Sequence, residues 1–127
     1  KRLFLKVGDL CATHQAPRVA ASADVKSVIV EISQKRLGAT AVLDNEKLLG
    51  VITDGDIRRM LESTQDIHSL TAQDIMCENP KQIQRNELAV AALKLMEENN
   101  ITQLVVINNN KLIGFVHLHD LLKEGIV

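Results

Sequence analysis

Apolar residues recur along the chain first with the period of a helix and then with that of strands. Val25, Val28, Ile29 and Ile32 follow the i, i+3, i+4, i+7 spacing of a helix that buries one face. The runs ATAVL and KLLGVI that follow have the length and composition of strands, and the polar DNE between them favours a tight turn. A further helix is predicted in DGDIRRMLES. With the short apolar-ended segment after Pro17 as a first strand, the pattern predicts one β-α-β-β-α unit.

The same order returns 64 positions later, so the chain is a tandem duplication. Residues 37–57 align with residues 101–121 without a gap. Because a unit of about 60 residues is marginal alone, we expect two units packed about a pseudo-twofold axis, an α/β fold divided at residues 1–64 and 65–127. The identical pairs are Val42/Val106, Asn45/Asn109, Lys47/Lys111, Leu48/Leu112, Gly50/Gly114 and Asp56/Asp120.

Capping residues predict where the helices begin and end. Ser22 is the predicted N-cap of the first long helix, and Gly38 its C-terminal stop. Asn86 is the predicted N-cap of the equivalent helix in the second repeat.

The motif TDGD, which contains Thr53 and Asp56, leaves a choice between helix capping and ligand binding. Thr-x-x-Asp fits the capping box, and the TAQD motif further along is predicted to be only a cap. Against capping alone, Gly55 is a poor helix former and suggests the close approach of another group, and helix N-termini bind phosphate. In addition, Asp120 is retained where His117, expected to cap badly, replaces the threonine. A carboxylate is a natural acceptor for two ribose hydroxyls.

Other residues are candidates for ligand contacts. Either Arg58 or Arg59 would neutralise a ligand phosphate, the alternative being a surface salt bridge with Glu62 or Asp54. Arg18 is a further candidate for the phosphate, and Thr40 for the wall of a base pocket.

Charge and composition exclude several classes of function. The net charge of −1, from 15 basic and 16 acidic residues, predicts no nucleic-acid partner and no membrane surface. Tryptophan and tyrosine are absent, so the chain offers no aromatic platform on which the bases of a single-stranded nucleic acid could stack. Two cysteines at unrelated positions, with no signal peptide and no membrane span, predict a cytoplasmic protein. The start without methionine reads as a fragment of a longer chain.

Metal, cofactor and catalytic sites are not expected. His117 and His119 are two residues apart and are predicted not to face the same way on a helix, which argues against a metal site. The acids at positions 54 and 56 come without a P-loop lysine, and no nucleophile–base pair is legible.

The duplicated pattern ending in G-h-h-T-x-x-D, with h apolar, resembles a tandem pair of CBS domains. The resemblance implies that Asp56 holds a nucleotide ribose and Thr53 a phosphate, with Asp120 equivalent in the second repeat. His117 departs from the pattern. LGATAVLDNEKLLGVITDGDIRRML, together with GFVHLHDLLKEGIV, is similar to the C-terminal part of D-arabinose 5-phosphate isomerases. There a sugar-isomerase (SIS) domain precedes the CBS pair, and the enzyme feeds Kdo synthesis.

This resemblance implies a regulatory module that binds a nucleotide or nucleotide-sugar effector, either AMP, ADP or ATP or a CMP-Kdo-like end product. The chain itself would lack the isomerase chemistry and would form homo-oligomers. The alternative is a ligand-free clamp that joins isomerase domains through exposed apolar helix faces.

Overall fold

A computed structural model describes residues 4–11, 15–63 and 66–126. The chain divides into a first unit, Ala16–Pro80, and a second unit, Lys1–Gln15 with Lys81–Val127. The helices and strands, in chain order, are α1 (Val7–Cys11), β1 (Arg18–Ala20), α2 (Val25–Lys35), β2 (Ala39–Asp44), β3 (Lys47–Thr53), α3 (Asp54–Ser63), α4 (Ala72–Ile75), β4 (Gln82–Gln84), α5 (Ala89–Asn99), β5 (Gln103–Asn108), β6 (Lys111–His117) and α6 (Leu118–Lys123), with a short 3-10 turn at Ile67–Ser69.

The first unit has the predicted order β1-α2-β2-β3-α3. Strand β1 pairs parallel to β2, and β2 pairs antiparallel to β3. The hairpin turns at Asn45, whose φ of 55° lies in the left-handed region that asparagine tolerates. Helix α2 buries Val28 and Ile32 against Val42 and Ile52 of the hairpin. The helical stripe and the hairpin predicted from the sequence are both confirmed.

Both predicted ends of α2 are wrong. The N-cap is Asp24, not Ser22, because the Asp24 carboxylate accepts the Ser27 N–H at 2.8 Å. The helix ends at Lys35, with Arg36 in the left-handed conformation (φ 61°) and its N–H bonded to the Ile32 carbonyl. Gly38 also has a positive φ, of 74°, but it lies in the segment that leads into β2.

The second unit repeats the order as β4-α5-β5-β6-α6. Strand β4 is parallel to β5, and β5 is antiparallel to β6. The predicted N-cap of α5, Asn86, is wrong: Leu88 stands at that position without a side-chain cap. The Ala89 N–H is satisfied instead by the carbonyl of Leu5 at 2.8 Å. A backbone group distant in the sequence thus does the work of a capping side chain.

Each compact unit contains a short helix from the other sequence repeat. Helix α1 packs in the second unit, where the N–H groups of Val7 and Gly8 donate to the carbonyls of Glu87 and Arg85. Helix α4, from the second repeat, packs in the first unit. The division at residues 1–64 and 65–127 describes the repeat in the sequence; as a statement about domains it stays a prediction.

Both short helices, with the residues that follow them, cover a glycine of the adjacent hairpin. A Cβ atom at Gly50 would overlap the carbonyl oxygen of Cys77 and come within 2.9 Å of Met76 Sδ. A Cβ at Gly114 would meet Cys11 at 3.4 Å, a much looser contact. The glycine shared by the two repeats therefore makes room for a neighbouring segment, tightly in the first unit and less tightly in the second.

Candidate functional site

Thr53 and Asp56 lie where β3 ends and α3 begins, in the first unit. Asp56 Oδ2 accepts the Thr53 backbone N–H at 2.9 Å and the Thr53 hydroxyl at 3.1 Å. The Asp56 backbone N–H donates in turn to Thr53 Oγ1 at 3.2 Å. These are the reciprocal bonds of a capping box, so the capping role considered for this motif is present in the structure.

Thr71 and Asp74 form the same arrangement at the start of α4. Asp74 Oδ2 accepts the Thr71 N–H at 2.8 Å and the hydroxyl at 3.0 Å. The prediction that this motif is a capping box is confirmed. Because the two boxes have nearly identical distances, cap geometry by itself does not separate a ligand site from a structural motif, and the chain carries its own matched control.

Asp56 differs from Asp74 in what its second oxygen does. Asp56 Oδ1 accepts from Arg59 Nη2 at 2.7 Å. The Asp56 side chain is 18% exposed, whereas that of Arg59 is 69% exposed. The surface salt bridge predicted for an arginine here was with Glu62 or Asp54, and that choice of partner is wrong. Arg59 pairs with Asp56, at the i, i+3 spacing that favours contact on a helix. The candidate ligand-binding carboxylate is thus held by the chain's own cation.

Gly55 borders the same guanidinium. A Cβ atom built at Gly55 would lie 3.4 Å from Arg59 Nη1 and 3.6 Å from Thr53 Oγ1. The close approach that the glycine suggested in the sequence is therefore made, in this structure, by the Arg59 side chain.

His117 caps α6 in the second unit. Its Nδ1 accepts the His119 backbone N–H at 3.0 Å, and Asp120 Oδ2 accepts the His117 N–H at 2.8 Å. The expectation that His117 caps poorly is wrong, because a neutral imidazole nitrogen is a competent acceptor. Asp120, only 8% exposed, therefore keeps a capping partner. Its retention alone no longer argues for a second role.

The expectation that His117 and His119 face different ways is also wrong. Their rings stack with centroids 4.8 Å apart and planes 11° from parallel. His117 is the N-cap and has an extended backbone (φ −110°, ψ 152°), so the angular spacing of a helix does not apply to it. Among residues 4–11, 15–63 and 66–126, no group of three or more histidine, cysteine or acidic side chains is arranged to hold a metal ion.

The structure does not bring Thr40 to Thr53. Thr40 pairs with Ile52 across the hairpin, whereas Thr53 pairs with Ala39, so the two threonines point to opposite faces of the sheet. Thr40 is completely buried and donates its hydroxyl to the Ala41 carbonyl at 3.1 Å.

Arg58 and Arg18, the other arginines considered as ligand contacts, are both exposed. Within the described part of the chain, the Arg58 side chain makes no hydrogen bond or ion pair. Arg18 lies in β1, where its backbone N–H donates to Glu31 Oε2 at 3.0 Å. Among the described residues, neither arginine forms a hydrogen bond or an ion pair with Asp56.

Glu31 ties α2 to strand β1. Besides the Arg18 N–H, its carboxylate accepts from Lys35 Nζ at 2.8 Å. Burial alone would raise the pKa of Glu31, but the hydrogen bonds from Lys35 and from the Arg18 N–H outweigh it and lower this pKa below its usual value. Through these two bonds Glu31 holds α2 against β1, and we call this interaction the Glu31 latch. The sequence analysis did not identify it.

A cleft of about 290 Å³ runs along one face of α3 in the first unit, and the sequence analysis did not find it. One wall carries Asp56 and Arg59, so the ion pair faces this space. The cleft forms between α3 and residues 70–75, which follow it in the chain, and it depends on how folding packs the two segments together. Its lining residues are Asp56, Arg59, Met60, Ser63, Leu70, Asp74 and Ile75.

Comparison with known proteins gives a family and a set of relatives. The family model described as CBS domain matches residues 7–63 and again residues 72–126. Arabinose 5-phosphate isomerase KdsD of Yersinia pestis is 36% identical over 129 residues, covering 100% of this chain and 39% of that protein. The enzyme of the same name from Francisella tularensis is 38% identical over 125 residues, covering 97% and 38%. The chain thus spans well under half the length of these curated relatives.

Among solved structures, a CBS domain protein from Pyrobaculum aerophilum complexed with AMP has a TM-score of 0.81 to this chain. It is 21% identical and covers 92% of this chain and 90% of its own. At that identity the likeness concerns the fold, which is the predicted α/β arrangement. None of the helices in the described ranges is long and apolar enough to span a membrane.

Proposed function

The chain belongs to the CBS domain family as a tandem pair, and from this premise we propose that it is a regulatory module that binds a nucleotide or nucleotide-sugar. The observation that carries the proposal is the match of the CBS family model to both repeats, in a chain whose fold matches that of a CBS protein complexed with AMP. Asp56 and Asp120 occupy equivalent helix starts in the two repeats and are the proposed ligand carboxylates. Capping alone accounts for the hydrogen bonds, so the test must separate capping from binding.

In the first unit, Asp56 would accept the two ribose hydroxyls, and Thr53, at the start of α3, would hold a phosphate. Arg58, exposed and without a partner among the described residues, and Arg18 would add positive charge. The hydroxyl of Thr40 is already bonded to the Ala41 carbonyl, so Thr40 would not hydrogen-bond to the base. It would instead contribute to the wall of the base pocket as part of β2.

In the second unit, Asp120 would take the ribose role, with His117 in the place of the threonine. His117 Nδ1 already accepts a backbone N–H, so its Nε2 is the nitrogen that would meet a phosphate. Phosphate binding at this second position would therefore use an imidazole N–H in place of a hydroxyl.

We place this module in a D-arabinose 5-phosphate isomerase, after a SIS domain, in the cytoplasm. The support is the 34–38% identity with such enzymes along essentially the whole chain. The parent protein would interconvert D-ribulose 5-phosphate and D-arabinose 5-phosphate for Kdo synthesis, and hence for lipopolysaccharide or capsule. The effector would then be an adenine nucleotide (AMP, ADP or ATP) or a CMP-Kdo-like product of the pathway. Occupancy would bias the isomerase between two states.

The second candidate function is a ligand-free oligomerisation clamp. Leu61 on α3 is 52% exposed and Leu122 on α6 is 49% exposed, so each unit presents a large apolar side chain on its last helix. Exposed leucines of this kind are suited to contacts with a second copy of the chain. Homo-oligomerisation is compatible with both candidates, so oligomeric state alone does not decide between them.

A thermal-shift panel with AMP, ADP, ATP, CMP and CMP-Kdo tests the choice. A compound at 100 times its dissociation constant should stabilise the chain by about 2.7 kcal/mol. The same panel is run on Asp56→Ala and on Asp74→Ala, whose capping boxes match. Binding lost only in Asp56→Ala supports the module. A flat panel with the unaltered chain favours the clamp.

A further inference from the structure

The Asp56 carboxylate already accepts three hydrogen bonds, which leaves one of its roughly four acceptor sites open. One oxygen accepts the N–H and hydroxyl of Thr53, and the other accepts from Arg59 at 2.7 Å. A sugar that hydrogen-bonds to this carboxylate through two hydroxyls must therefore displace at least one existing partner. Arg59 is the partner that can leave, because its side chain is 69% exposed, whereas the Thr53 bonds belong to the start of the helix.

The arginine and the space for it are found in only one of the two repeats. Gly55 leaves the first turn of α3 open, with Arg59 Nη1 3.4 Å from the position of a Cβ atom. At the equivalent positions of the second repeat the chain has His119 and Lys123. A lysine lacks the planar fork with which a guanidinium grips a carboxylate or a phosphate. The arrangement around Asp56 is therefore specific to the first unit.

We propose that Arg59 is a built-in competitor for the Asp56 carboxylate and makes the first site select phosphorylated ligands. The proposal rests on the proposed function, in which Asp56 receives the ribose. A nucleoside that displaces Arg59 breaks the ion pair and returns nothing to the guanidinium. A nucleotide offers its phosphate to the released guanidinium, a charge-assisted and often bidentate partner. Arg59 thus exchanges one anion for another only when the ligand carries a phosphate.

Calorimetric titration with matched pairs, AMP against adenosine and CMP against cytidine, tests this assignment. The proteins are the unaltered chain, Arg59→Gln, Arg58→Gln and the control Lys47→Gln. Lys47 begins β3 at the strand end remote from Thr53 and removes the same charge. In Arg59→Gln we expect the nucleotide to bind about tenfold more weakly, the loss of one hydrogen bond to a charged group. We expect the nucleoside to bind about threefold more tightly, because a largely exposed ion pair no longer competes.

The outcomes separate this inference from the function on which it rests. A nucleotide-to-nucleoside preference that survives Arg59→Gln unchanged, or that is lost in Arg58→Gln instead, overturns the role of Arg59 and leaves nucleotide binding intact. Loss of preference in Lys47→Gln as well would reduce the effect to net charge and also overturn it. If neither the unaltered chain nor Arg59→Gln binds any of the four compounds, the proposed function fails and the inference fails with it. Nucleoside binding that is detected only in Arg59→Gln supports the competition directly, whereas nucleotide binding detected only in that variant overturns it.

Discussion

Replacement of Asp56 by alanine separates the two roles that its geometry permits. The change removes the acceptor of the Thr53 N–H and hydroxyl and the partner of Arg59. Asp74→Ala is the matched change, because it removes the same two bonds to Thr71 at 2.8 and 3.0 Å and no ion pair.

The loss of each capping box should cost about 1 kcal/mol of folding stability. The Arg59 ion pair, with its cation largely exposed, adds at most about 0.5 kcal/mol for Asp56. For a chain of this size, a loss of about 1 kcal/mol lowers the melting temperature by roughly 3–5 °C. The two variants should therefore melt within a few degrees of each other. Differential scanning calorimetry measures this comparison.

Ligand binding should distinguish the variants that stability does not. If Asp56 receives ribose hydroxyls, Asp56→Ala should weaken nucleotide binding by about 1.5–3 kcal/mol, the scale of hydrogen bonds to a charged group. Asp74 lines the same cleft but is assigned no ligand contact, so Asp74→Ala should weaken nucleotide binding much less than Asp56→Ala does. The assay is isothermal titration with the tightest compound of the panel. Equal affinity in the unaltered chain and Asp56→Ala, with the expected fall in melting temperature, would show that Asp56 is a helix cap and nothing more.

Three further changes test the packing and the electrostatics. Gly50→Ala should destabilise by about 2–3 kcal/mol in urea, because the new methyl overlaps the Cys77 carbonyl, whereas Gly114→Ala should cost under about 1 kcal/mol; equal losses would contradict the geometry. Because the pKa of Glu31 is lower in the folded than in the unfolded chain, the ionised carboxylate stabilises the fold at pH values above its usual pKa. This stabilisation is lost as the pH falls through the lowered pKa. Glu31→Gln should therefore differ from the unaltered chain above about pH 5 in urea unfolding and converge with it in acid, and a constant difference would refute the latch. His117→Leu should cost about 1 kcal/mol by removing the α6 cap and His117→Thr should not, as thermal melts would show; equal stability of the two would deny the capping role.

Local pattern predicted the elements whose residues carry the signal themselves. The stripe from Val25 to Ile32 and the paired strand runs were sufficient for α2 and the hairpin, because burial on one face imposes a period that the sequence must repeat. Helix ends were predicted less well. The α5 start depends on the Leu5 carbonyl, a group from 84 positions away that no capping residue announces.

The candidate site shows the same limit. The Thr-x-x-Asp motif correctly located the junction between β3 and α3. Its hydrogen-bond geometry, however, is shared by the Thr71–Asp74 motif, which was predicted to be only a cap. The prediction that His117 caps poorly was wrong because it relied on the residue types that most often occupy the N-cap. In the extended backbone of this N-cap, the imidazole nitrogen of His117 can reach and accept a backbone N–H. The sequence also did not show that Thr40 and Thr53 lie on opposite faces of the sheet. That relation depends on the register with which the two strands pair across the hairpin.

The sequence by itself determined the duplication, the β-α-β-β-α order of each repeat and the family, because all three rest on periods and spacings within about 60 residues. Only the tertiary structure decided which compact unit each short helix joins, and that Arg59 pairs with the carboxylate of Asp56. The physical reason is that helix and strand periods follow from local burial. The closure of α1 over Gly114 and the choice of partner at an exposed side chain depend instead on groups brought together by folding.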